Sequence, residues 1–74
     1  MSVKLASTGD MDQDEELIVS NGFDIAIFKS LYGKNIVQIN NCGNSIDIQS
    51  ECSSVFEAKR DAFQRLFDLM ESEG

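Results

Sequence analysis

The sequence predicts an α+β domain: a four-stranded antiparallel β-meander with one C-terminal α-helix packed on one face, preceded by a disordered acidic N-terminal tail. Three observations lead there. The run Phe23-Asp24-Ile25-Ala26-Ile27-Phe28 alternates as a strand does and is apolar on both faces apart from Asp24. Asn21-Gly22 stands directly before it, and both residues tolerate the positive φ of a tight hairpin turn. Beyond Ser54, apolar residues recur at helical rather than strand spacing.

The elements follow in order. Residues 1–13 lack sustained periodicity and run into the acidic cluster Asp10 to Glu16, which reads as a flexible tail that keeps an edge strand soluble. Met11 offers an alternative start to Met1. A single ββββα domain is expected over 14–74. Strand one is Glu16–Ser20, and the Asn21-Gly22 turn sets Ser20 against Phe23 and Ile18 against Ile25. Strand two runs from Phe23 to about Ser30. A three-residue loop Leu31-Tyr32-Gly33, with Gly33 left-handed, places Ile27 opposite Val37 and Ile25 opposite Ile39. Strand three is about Asn35–Asn40. The turn-forming segment Asn41-Cys42-Gly43-Asn44 leads to strand four at Ser45–Gln49, with Ile39 opposite Ile46 and Val37 opposite Ile48.

This register gathers Ile18, Phe23, Ile25, Ile27, Val37, Ile39, Ile46 and Ile48 on one face. The helix that covers them opens at Ser53 or Ser54, where Ser54-Val55-Phe56-Glu57 has the form of a capping box. Phe56, Phe63, Leu66, Phe67 and Met70 share its stripe, flanked by Val55 and Ala62, and Lys59 is expected to snorkel past a sheet edge.

Composition narrows the function. The 74 residues carry a net charge of −7, concentrated at the ends: one lysine against five acids in 1–16, three basic against six acidic groups in 51–74. That balance argues against direct nucleic-acid or membrane binding through a basic face. There is no His, which removes the commonest general base and metal ligand. Cys42 and Cys52 have nine residues between them, which fits no zinc pattern; a disulfide between them is possible but unforced, and a reduced cytosol is the simpler setting. As nucleophiles they lack a base; Cys42 reads as an exposed turn thiol and Cys52 as a small buried hydrophobe. Tyr32 and Lys34 form at most a small contact at a hairpin tip. The glycines make no phosphate-binding pattern. The expectation is a protein that is not an enzyme, with no cofactor, no metal and no small-molecule substrate.

What remains is the second sheet face. The predicted register sets Leu17 opposite Ala26 and Phe28 opposite Ile36, so Leu17, Val19, Ala26, Phe28 and Ile36 form an apolar patch that no helix covers. Such a patch, rimmed by Asp24, Gln38, Asn40, Asp47 and Gln49, suits a protein partner or a second copy. The expected function is a small acidic regulator, adaptor or inhibitor that binds protein through this face, alone or as a homodimer. The alternative is an acidic mimic of nucleic acid, similar in size and charge to inhibitors that phages direct against host nucleic-acid-binding or defence proteins.

Overall fold

A computed structural model describes residues 6–41 and 46–73 of the chain. Its order is α1 (Met11–Ser20), β1 (Asp24–Lys29), β2 (Asn35–Asn41), β3 (Ile46–Cys52) and α2 (Val55–Glu73). The sheet has three antiparallel strands in the order β1-β2-β3, not four.

The correction falls on the first element. Residues 16–20, expected as a strand, lie in α1, so Ser20 and Ile18 are not paired with Phe23 and Ile25 across a hairpin. The expected tail is helical from Met11; its residues 1–5 lie outside the described residues. Asp10 caps the helix, its carboxylate accepting from the Asp12 and Gln13 N–H groups at 2.9 and 3.4 Å. Asp12 and Asp14 follow in the first turn, where the helix dipole favours acids. The sequence Asp10-Met11-Asp12-Gln13 thus carried a helix-start signal within the stretch read as a tail.

Asn21-Gly22 ends this helix instead of turning a hairpin. Gly22 has φ +91°, its N–H bonds the Val19 carbonyl at 3.1 Å, and the Phe23 N–H reaches back to Ile18 at 3.3 Å. That is the paired bonding of a Schellman cap, completed by Ile18 and Phe23 both entering the core. A left-handed glycine serves either motif, so the dipeptide alone does not choose between them. A Cβ at Gly22 would meet nothing within 4 Å, which leaves backbone strain as the whole penalty. Gly22→Ala is therefore expected to cost about 1 kcal/mol in chemical denaturation. A neutral result would remove the cap from the account of how α1 ends.

The β1–β2 hairpin forms as its turn chemistry dictates. Ser30 N–H bonds the Lys34 carbonyl at 2.8 Å, Gly33 N–H bonds the Ser30 carbonyl at 3.0 Å, and Gly33 has φ +80°. The three-residue loop Leu31-Tyr32-Gly33 sets Ile27 opposite Val37, Ile25 opposite Ile39 and Phe28 opposite Ile36. β2 and β3 pair two residues away from the expected register: Ile39 faces Ile48, Val37 faces Ser50 and Asn41 faces Ile46. A shift of two preserves the faces, so the same side chains still point inward. The connecting residues 42–45, with the expected turn at Cys42-Gly43-Asn44, lie outside the described residues.

Both helices cover one face of the sheet. Ile18 and Phe23 join Val37, Ile39 and Ile48 from the sheet with Ala58, Ala62, Phe63, Leu66 and Phe67 from α2 in one cluster. The single expected cover is thus two helices, linked by an ion pair between Lys59 Nζ and Glu15 Oε1 at 2.6 Å. Lys59, expected to snorkel past a sheet edge, thus ends on a carboxylate of α1. α2 starts as expected, with the Glu57 N–H donating to Ser54 Oγ at 3.2 Å, although the Glu57 carboxylate takes the Ser53 hydroxyl at 3.3 Å in place of a backbone amide. Ser50, buried under α2, donates to Asp61 at 2.6 Å, and Arg65 pairs with the same carboxylate at 3.0 Å. Its first turn breaks from the stripe: Phe56 is 60% exposed and Val55 37%.

Candidate functional site

Of the five expected contact residues, three come together and two do not. Ala26, Phe28 and Ile36 sit on the helix-free face, where alternation along β1 and β2 turns them away from the core residues Val37 and Ile39. Ile36, flanked across the ladders by Phe28 and Glu51, is buried, whereas Phe28 is 43% exposed. Leu17 and Val19 lie on α1, with the helix layer. Leu17 packs against the core and Val19 faces solvent, so the predicted pairing of Leu17 with Ala26 is absent. The rest of the helix-free face is polar, with Gln38 Nε2 donating to Asp47 Oδ1 at 3.0 Å between β2 and β3.

The apolar surface is larger than this face and is centred elsewhere. Among the described residues, six of the seven exposed large hydrophobics are Ile27, Phe28, Leu31, Tyr32, Val55 and Phe56. They belong to the end of β1, the hairpin tip and the first turn of α2. These elements meet at one end of the molecule. Lys29, Asn35 and Cys52 are aligned across the three strands there, and Asn35 Nδ2 donates to the Ser53 carbonyl at 3.1 Å, two residues before α2 begins. The sequence pattern puts Phe56 in the core stripe with Val55 on its flank, and gives Tyr32 and Lys34 at most a small contact at the hairpin tip. The available signal was the helix start itself: a helix opening just beyond a strand end presents its first turn past the sheet it will cover.

At this end the starts of α1 and α2 lie side by side and leave an open groove between them, lined by Asp10, Met11, Asp12, Val55, Phe56 and Lys59 among others. On the α2 side Val55 and Phe56 are apolar and Lys59 is paired with Glu15, while Asp10 and Asp12 make the α1 rim acidic. The neighbouring hairpin tip is the reverse in charge, with Lys29 and Lys34 on either side of Leu31-Tyr32.

The N-terminal segment that forms part of this end is anchored by one buried carboxylate. Asp14 accepts from Thr8 N–H and Thr8 Oγ1, both at 2.7 Å, and from Ser7 Oγ at 3.0 Å. Burial pushes its pKa up, but the Thr8 amide and the Thr8 and Ser7 hydroxyls outweigh that and hold the carboxyl below its ordinary value.

Cys52 is a half-buried free thiol 3.8 Å from Ser50 Oγ, and Cys42 lies outside the described residues. Among the described residues no three His, Cys, Asp or Glu side chains gather as a metal-binding group, and no helix is long and apolar enough to cross a membrane. No family model, curated protein or solved structure matches the chain.

Proposed function

We propose that the chain is a small acidic protein-binding module of the cytosol, without chemistry of its own, acting as a regulator, adaptor or inhibitor. Its contact surface is the end of the β1–β2 hairpin and the adjoining exposed residues Ala26 and Phe28 of the helix-free face, beside the buried Ile36. The observation that carries this reading is the crowding of six exposed large side chains into one end of a 74-residue chain. Scattered singly, exposed hydrophobics need no explanation; six gathered at one end of a chain this short suit a partner. Leu17 and Val19 lie outside this surface and have no part in the reading.

The mimicry alternative is weaker. It needs a row of free carboxylates on an ordered surface, and on α2 Asp61 is tied to the buried Ser50 and to Arg65, with Arg60 beside it.

The test is Phe28→Asp. Phe28 is partly exposed on an edge strand, so the variant is expected to fold, losing about 1 kcal/mol at most, with an unchanged circular dichroism spectrum. Partners captured by the wild type from its native cell should be lost with the variant. Capture that survives Phe28→Asp in a folded chain rules out this surface.

A further inference from the structure

We infer that two copies of the chain join at the apolar end, the Leu31-Tyr32 tip of each seated in the groove between the helix starts of the other. This rests on the reading of that end as a contact surface, and it names the occupant.

Three features fit tip to groove. The first is exposure. Leu31 and Tyr32 are 102% and 91% exposed, so the fold of a single chain makes no use of either side chain. Ser30 instead spends its hydroxyl on the loop backbone, accepting from the Tyr32 and Lys34 N–H groups at 3.3 and 3.2 Å, which presents the two side chains on a defined turn. A pre-ordered apolar knob loses little freedom on docking. The second is charge. The knob is flanked by Lys29 and Lys34, and the groove offers Met11, Val55 and Phe56 beside Asp10 and Asp12, with its one cation, Lys59, already paired to Glu15 at 2.6 Å. On a chain of net charge −7 the tip is the locally cationic apolar loop, and an acid-rimmed apolar groove is its complement.

The third is placement. Tip and groove share one end of the molecule, so a two-fold axis across that end brings each tip to the other copy's groove and closes the contact as a dimer. Leu31, Tyr32, Val55 and Phe56 from each copy, with their rims, place the interface near the small end of stable ones, roughly 1,200 Å² in total. A dimer that dissociates in the micromolar range is the expected outcome.

The experiment is sedimentation of the full chain in reducing buffer, from low micromolar to near-millimolar concentration. The wild type should pass from monomer to dimer and stop there. Leu31→Ser with Tyr32→Ser should remain monomeric with an unchanged melting curve, because neither side chain is buried in the fold. Phe56→Ser should also remain monomeric. An equimolar mixture of the tip and groove variants keeps one of the two junctions, so it should associate more than either alone and less than the wild type. Lys34→Glu should weaken the dimer and Asp12→Lys in the same chain should restore it. A wild type monomeric throughout, growth beyond the dimer, or a dimer indifferent to the tip variant would overturn the inference. If the chain is monomeric yet Phe28→Asp still abolishes partner capture, self-association falls while the protein-binding reading stands.

Discussion

Phe63→Ala is expected to lower the unfolding free energy by about 3–5 kcal/mol, while Phe56→Ala on the same helix changes it by about 0.5 kcal/mol or less. The two phenylalanines lie seven positions apart, close to one stripe of α2. Phe63 is 3% exposed in the cluster that joins both helices to the sheet, so truncation leaves a cavity among Ile18, Leu66 and Phe67 and their neighbours. Phe56 projects into the groove and has little buried contact to lose. A domain of this length is expected to have about 4–11 kcal/mol of total stability, so the Phe63 variant gives up a large share of it. Urea titration decides the matter if the midpoint falls sharply for Phe63→Ala and stays in place for Phe56→Ala, with the same slope in both. Equal losses would put Phe56 in the core and close the groove on which the dimer depends.

Asp14→Ala is expected to cost about 1.5–3 kcal/mol near neutral pH, since three hydrogen bonds to a carboxylate are removed together. The loss should be strongest where the N-terminal segment meets α1, and amide exchange should quicken over Thr8 and the first turn of the helix. The pH dependence has a definite sign. The folded-state pKa lies below the ordinary value of 3.8, so the stabilisation is fully present above that value. It is lost as the pH falls through 3.8 and on through the lower folded-state value. The stability gap between wild type and Asp14→Ala should therefore be constant near neutrality and close in acid. A gap that widens on acidification would mean that Asp14 is not held as the anion. Because Ser7 and Gly9 also line the neighbouring cleft against Phe56 and Phe63, the same variant should loosen the α1 side of the proposed dimer contact.

How much of this was legible in the chain differs from element to element. The β1–β2 hairpin could be read to the residue, because Gly33 at the left-handed position fixes the loop length and the loop length fixes the register. The β2–β3 register could not, since any even shift keeps Val37, Ile39, Ile46 and Ile48 facing inward, and periodicity alone does not separate them. The start of α2 was local chemistry, carried by Ser54 and confirmed by its bond to the Glu57 amide.

The first helix was open at the level of sequence. Leu17-Ile18-Val19 favours a strand by composition, Asp10 and Gln13 favour a helix start, and Asn21-Gly22 serves a hairpin or a helix cap equally well. Long-range burial broke the tie: as a helix, this segment sends Ile18 inward beside α2, with Met11 and Leu17 partly covered against the same cluster. That choice moved Leu17 and Val19 off the helix-free face and shrank the expected patch to Ala26, Phe28 and Ile36.

The sequence by itself determined the hairpin, the face each strand residue takes and the start of the long helix, because these follow from turn geometry, two-residue alternation and capping among near neighbours. Only the tertiary structure decided that residues 11–20 coil, that two helices share one face, and that Phe56 lies beyond the sheet's end beside Leu31 and Tyr32. Those outcomes depend on which distant surfaces meet, and the free energy of burying one element against another is not contained in either element alone.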